Sequence, residues 1–270
     1  MRDIAFGQYY PANGILHRLD PRGKILMLIT FLVLVFCTSN YYALSVIVAS
    51  VALIVMLSKV PVRLYFKSLK MIVFIIIFTS ILNLFYATGE VVCEFWIFKI
   101  TREGINNAVF VCVRIICLIF VSSTLTFTTS PTDLTDALER LMKPLTIFHV
   151  KVHEIAMMMT IALRFVPLLL EETDKIRSAQ KARGADMESG NLIQRIKALI
   201  PVLIPLFVSA FRRAYDLAVA MECRCYHGGK GRTRMKSLHF IKRDYITFLV
   251  VLLIISGVVL CNVFLPQVAR

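Results

Sequence analysis

Two arginines stand where long helical patterns stop. Gln180-Lys181-Ala182-Arg183-Gly184 closes the first pattern, and Met221-Glu222-Cys223-Arg224-Cys225-Tyr226 closes the second. Small residues flank each arginine, and glycine follows, at once as Gly184 and then as Gly228-Gly229. A cation suits the negative end of a helix dipole, and glycine is the usual residue just past a helix end. A guanidinium offers a rigid fork of donors that matches carboxylate or phosphate. Two such exposed guanidinium groups on adjacent helix ends would make a docking plug for a partner with acidic pockets, or would contact lipid phosphates. The neighbouring groups carry less chemistry. Cys223-x-Cys225-x-His227 has poor chelating spacing for a helix end and lacks a fourth ligand. Gly228-Gly229-Lys230-Gly231 lacks the spacing of a phosphate loop, and no G-x-x-x-x-G-K-[ST] run occurs. His153-Glu154 does not open H-E-x-x-H, because position 157 is Met. No catalytic, cofactor or metal site is expected.

The elements that must hold these ends are set by composition. The chain has 270 residues, 58% of them hydrophobic, and a net charge of +14; its mean hydropathy is +0.74. That is too apolar for an ordinary soluble domain, and the apolar residues come in blocks. The positive charge therefore fits the cytoplasmic margin of a membrane protein and not a nucleic-acid surface. Of seven cysteines, Cys37, Cys112, Cys117 and Cys261 sit in apolar runs, as small core residues of a reducing setting. Asp3, Arg18, Asp20 and Arg22 precede any apolar run, so no signal peptide is expected.

Asp20 and Pro21 make a helix start, with Asp as cap and Pro at the first position. Apolar spans follow at residues 25–38, 42–57, 71–87 and 105–128, and a last one at 245–264. The loop at 58–70 carries Lys59, Arg63, Lys67 and Lys70 with no acid, whereas 88–104 holds slightly more acid than base. The positive-inside rule then puts the N-terminus in the cytoplasm and returns the chain there at residue 129. Ser130-Pro131-Thr132-Asp133 starts a short amphipathic helix with Leu134, Leu138, Leu141 and Leu145 at helical spacing. Two long patterns follow, from about Val152 to Ala182 and from about Asn191 to Cys225, each about 45 Å long if about 30 residues are helical. The apolar middle of the second, Pro201 to Phe211, is too short to span alone, and basic residues between the two argue for an inside location. Both are expected to lie in the interface. The expected fold is an all-α integral membrane protein: about five transmembrane helices plus an interfacial, cytoplasmic module of long crossing amphipathic helices. The expected divisions are 1–128, 129–243 and 244–270.

Four stretches, in order, carry a family resemblance: Leu16-His17-Arg18-Leu19-Asp20-Pro21-Arg22-Gly23-Lys24, Leu163 to Glu172, Ala179-Gln180-Lys181-Ala182-Arg183-Gly184, and Arg213 to Glu222. With this hydropathy the chain resembles, over essentially its whole length, the transmembrane T component (EcfT/CbiQ-like) of energy-coupling factor (ECF) transporters. The resemblance implies an ABC-type importer in a bacterial cell membrane, taking up vitamins or metals such as cobalt. It implies partners: two ABC ATPase subunits, docked at Ala182, Arg183, Gly184 and at Cys223, Arg224, Cys225, and a substrate-binding membrane S component. In the family both coupling helices end in Ala-Arg-Gly; here the second reads Cys223-Arg224-Cys225, which keeps the arginine and small neighbours. The implied mechanism drives Arg183 and Arg224 together and shears the membrane-facing helix halves. Met157, Met158 and Met159, with Leu163, form an adaptable patch that either packs as core or seats the S component.

Two readings of another class stand beside this one. Glu171-Glu172 followed by Arg177 is faintly similar to the paired glutamates and arginine of prenyl-type membrane proteases, but the arginine is one place too far and no span carries a histidine. A stand-alone permease would want polar groups in broken, repeated spans, and no repeat is visible. Arg164 either snorkels to the interface or pairs with a carboxylate. Arg114, inside the fourth span, is either a structural partner or a functional charge.

Overall fold

The computed structural model describes residues 9–86, 91–95, 98–185, 191–229 and 240–264. Eight α-helices carry the architecture: α1 (Pro21–Cys37), α2 (Tyr41–Ser58), α3 (Val62–Tyr86), α4 (Arg102–Thr128), α5 (Pro131–Leu141), α6 (Val152–Ala182), α7 (Leu192–Cys223) and α8 (Lys242–Phe264). A short antiparallel hairpin, β1 (Val91–Phe95) and β2 (Phe98–Thr101), precedes α4. By contact, residues 9–134 with 240–264 form one compact unit and residues 135–229 a second.

The first unit is a bundle of α1, α2, α3, α4 and α8. Its core interleaves Phe31 and Val35 of α1, Ile47 and Val51 of α2, Val121 of α4 and Val258 of α8. The α3 helix joins through Tyr65, fully buried against Phe120 and Phe127 of α4. The Tyr65 hydroxyl lies 3.1 Å from Ser58 Oγ and 3.0 Å from Thr124 Oγ1, which satisfies a polar tip in an apolar setting. The rest of α3 exposes Phe74, Ile75, Ile77, Phe78 and Ile81. An exposed apolar surface of this extent marks a contact with a membrane or with a partner protein.

Helix starts follow the sequence chemistry. Asp20 Oδ1 accepts from the Arg22 N–H at 2.9 Å with Pro21 in the first turn, and Ser130 Oγ accepts from the Asp133 N–H at 3.1 Å. The expected loop at 58–70 is mostly helix: Lys59 takes a left-handed conformation, and α3 begins at Val62, so Arg63, Lys67 and Lys70 ride its first turns. Long basic side chains are good helix formers and can reach back to headgroups, so a basic stretch did not need to be a loop. Arg114 is a structural partner. Its Nη2 donates to the Thr38 carbonyl at 2.6 Å, at the C-terminal end of α1, and its guanidinium lies over the Phe110 ring at 4.8 Å. At the same level Asn262 donates to Cys37 O at 2.9 Å, and Asn40 to Cys261 O at 3.1 Å, tying the α1–α2 turn to the end of α8.

By length and composition six of the described helices could cross a bilayer: α2, α3, α4, α6, α7 and α8. The α1 helix, with 17 residues, sits at the lower limit. The expectation of about five spans counted α1 and set α6 and α7 apart; their lengths, 31 and 32 residues, do not by themselves make that separation. Pro201 and Pro205 lie inside an unbroken α7, so its apolar stretch is longer than the segment between Pro201 and Phe211.

Candidate functional site

The two arginine ends have one geometry. Arg183 is the C-cap of α6 (φ −85°, ψ 8°) and Arg224 the C-cap of α7 (φ −93°, ψ 16°). After α6, the Gly184 N–H bonds Lys181 O at 3.0 Å and the Ala185 N–H bonds Gln180 O at 3.0 Å. After α7, the Cys225 N–H bonds Glu222 O at 2.8 Å and the Tyr226 N–H bonds Met221 O at 3.1 Å. Both patterns are Schellman closures, in which the residue after the cap turns left-handed and two orphan carbonyls are satisfied. Gly184 has φ +85° and Cys225 φ +53°. A cysteine therefore takes the conformation that favours glycine, at a cost of about 1–2 kcal/mol. Ala182, Arg183, Gly184, Cys223, Arg224 and Cys225 are all exposed.

The helices that carry these caps run antiparallel. Gln180 Nε2 lies 3.4 Å from Pro201 O, Arg213 Nη2 donates to Glu172 Oε2 at 2.9 Å, and Leu217 of α7 shares a cleft with Phe165 and Leu168 of α6. Near the start of α6, Gly229 lies so close to His153 that a Cβ there would overlap the imidazole ring. That ring is itself held, with Nδ1 3.0 Å from Glu139 Oε1. Antiparallel helices carry their C-termini at opposite ends, so Arg183 and Arg224 are not adjacent. Extending the pairing puts Arg224 level with roughly residue 158 of α6, which separates the two arginines by about 37 Å at 1.5 Å per residue. The Gln180 contact has a local reason. Pro205 lacks the N–H that would bond the Pro201 carbonyl, and the Gln180 amide stands at that freed acceptor, one turn from Arg183.

The other sequence candidates take definite places. Glu172 is paired with Arg213, and Glu154 faces Lys151 at 3.5 Å; neither glutamate pairs with a histidine. Among the described residues no group of three or more His, Cys, Asp or Glu could hold a metal ion. Lys230 and Gly231 lie outside the described residues. Arg164 is exposed and lines the cleft that holds Glu171, Phe165 and Leu217. Met158 (61%) and Met159 (40%) are open, while Met157 and Leu163 are half-buried. Sequence reasoning passed over a larger feature, the exposed stripe Ile200, Leu203, Phe207, Phe211 and Tyr215 on α7. Its spacing of three and four residues marks one helix face, and that signal was present in the sequence.

The N-terminal signature is a structural knot in the bundle unit. Lys24, 6% exposed, donates from Nζ to Thr128 O at 2.9 Å and reaches Thr129 Oγ1 at 3.3 Å. Asp244 Oδ1 accepts the Asp20 N–H at 2.9 Å, and its Oδ2 accepts the Ile241 N–H at 2.7 Å. The starts of α1 and α8 and the end of α4 are thereby locked together. Outside the spans, His17 Nε2 lies 2.9 Å from Tyr10 O, so it carries the proton; burial of the ring holds its pKa below the ordinary value.

Residues 12–235 match the family described as cobalt transport protein, CbiQ. The chain is also similar to the energy-coupling factor transporter transmembrane protein EcfT of Ruminiclostridium cellulolyticum, 49% identical over 260 residues that cover 96% of this chain and 97% of the relative. The EcfT protein of Clostridium kluyveri is 47% identical over 266 residues, with 98% of each chain covered. That of Lactococcus lactis is 42% identical over 261 residues, 96% of this chain and 97% of the relative. With identity of this order along nearly its full length, and six helices apolar enough to span, the chain is a multi-pass membrane protein of the CbiQ/EcfT family, the transmembrane components of energy-coupling factor transporters.

Proposed function

We propose that this chain is the coupling subunit of an energy-coupling factor importer. It takes ATP-driven motion from two ABC ATPase subunits, one at Arg183 and one at Arg224, and passes it to a substrate-binding S component for micronutrient uptake. The observation that carries this reading is the pair of matching, exposed arginine caps at opposite ends of one antiparallel helix pair. A separation of about 37 Å suits one tip per ATPase better than both tips in a single pocket. It also favours a pair lying along the membrane. A bilayer with its headgroups is about 40–45 Å thick, so a crossing pair would put the two arginines on opposite sides, and only one could meet a cytosolic motor.

In this reading residues 1–128 and 244–270 anchor the subunit in the cell membrane, with the N-terminus and the module at 129–243 cytoplasmic. The drive moves the α6–α7 pair, which the Glu172–Arg213 ion pair and the Gln180 contact hold together as one body. Two exposed apolar surfaces, Met158 and Met159 on α6 and the stripe through Phe207 and Phe211 on α7, are open to the S component. The chain performs no chemistry of its own; ATP is bound and split by the partners. Co-purification from native membranes tests this. Arg183→Ala and Arg224→Ala should each lower ATPase recovery, and the double variant should abolish uptake while the S component is still retained. Unchanged ATPase recovery with the double variant would overturn the assignment.

A further inference from the structure

The bundle unit contains a cavity that the coupling role does not use. It has a volume of about 250 Å³ and is lined mainly by aliphatic side chains, among them Leu28, Ile54, Leu57, Leu125, Val250 and Ile254. For comparison, an engineered apolar cavity of about 150 Å³ stays dry and takes up benzene. The walls come from the start of α1, the end of α2, the end of α4 and the start of α8, all at one end of the bundle. Lys24 also borders it, but its ammonium is spent on Thr128 and Thr129.

A second cleft adjoins this cavity and shares Ile15, Ile246 and Thr247 with it. Its remaining walls are Asn13, Gly14, Arg18 and Arg243. Both arginines are exposed, and no side chain among the described residues engages either guanidinium. Arg18 precedes α1 and Arg243 stands in the first turn of α8, at the polar margin of the apolar runs. An apolar cavity that shares three lining residues with a cleft bearing two exposed cations makes a site that is amphipathic along its own axis. It matches one molecule class in a bilayer: an acyl chain ending in a negatively charged phosphate headgroup.

We propose that this site holds one anionic phospholipid, with part of an acyl chain in the cavity and the phosphate between Arg18 and Arg243. A free phosphate would leave the cavity empty, and a zwitterionic lipid would offer less charge to the pair. Bound there, the lipid fastens α8 to the N-terminal segment independently of the caps on α6 and α7. The site does not depend on the docking assignment, and its test does not read transport.

The test is lipid retention by the purified full-length chain, measured by native mass spectrometry after exchange into phosphatidylglycerol or phosphatidylcholine. The wild type should keep one phosphatidylglycerol and exchange phosphatidylcholine freely. Arg18→Ala with Arg243→Ala removes two surface cations and should weaken phosphatidylglycerol binding roughly 30-fold. Val250→Phe fills the cavity with both arginines in place and should lose the same lipid; monodisperse elution confirms that each variant is folded. Equal retention of the two lipids, retention unchanged in either variant, or no retained lipid in the wild type would each overturn the proposal. Capture of glycerol phosphate as strongly as of the lipid would overturn the acyl-chain assignment.

Discussion

Replacing Lys24 by Met should remove the cation that closes the knot between α1, α4 and α8. The side chain is nearly isosteric, so the cavity term is small and the change is electrostatic. A hydrogen bond from a charged donor contributes about 1.5–3 kcal/mol, and here the 2.9 Å bond to Thr128 O is the strong one and the 3.3 Å contact to Thr129 the weak one. Asp20, Asp133 and Asp244 supply the negative charge around the ammonium. Losing one partner of a buried pair costs about 3–5 kcal/mol. Asp20 keeps the Arg22 N–H, and Asp244 keeps the Asp20 and Ile241 N–H groups, so the lower end applies. The expected loss is about 3 kcal/mol, a factor of roughly 150 in the unfolding equilibrium. Thermal unfolding in detergent, followed by size-exclusion recovery, measures it. The exposed Lys67→Met is the control and should stay within about 0.5 kcal/mol of wild type. If Lys24→Met melts with Lys67→Met, the ammonium does not hold the knot and the reasoning fails.

Three further outcomes are expected. Gly229→Ala has no room beside His153 and should displace that ring from Glu139, costing about 1–3 kcal/mol and freeing the turn after Arg224; a lower melting temperature with weaker ATPase co-purification checks it. Cys225→Gly relieves a left-handed cysteine and should stabilise the α7 end by up to about 1 kcal/mol, read as a higher melting temperature with docking kept. His17 is held below its ordinary pKa of 6.5, so as pH falls through that value the unfolded chain binds the proton first and stability drops. Melting temperature should fall between pH 7 and 5.5 in the wild type and less steeply in His17→Gln; equal slopes would exclude His17 as the cause.

Much of this molecule is written in local chemistry. Hydropathy blocks located the helices, since each need only be long and apolar enough, and Asp20-Pro21 and Ser130-Pro131 marked helix starts within one residue. Arg183 and Arg224 were legible as cap residues because a cap depends on three or four neighbours in the chain. The resemblance to the coupling family rested on the same short stretches. What depends on residues far apart in sequence stayed hidden. That the two arginine ends lie at opposite poles follows from the antiparallel pairing of α6 with α7, fixed by Glu172 with Arg213 and Gln180 with Pro201, and no local pattern encodes that pairing. Nor could the sequence choose between a structural and a functional Arg114, because its acceptor, the Thr38 carbonyl, is a backbone group 76 positions away. Lys24 stood in the N-terminal stretch that carries the resemblance, but nothing local named its partners, Thr128 and Thr129, which lie 104 and 105 positions away. The general cause is that a backbone segment reports its own propensity, whereas the partner of a buried charge is chosen by which helix ends the packing brings to the same level.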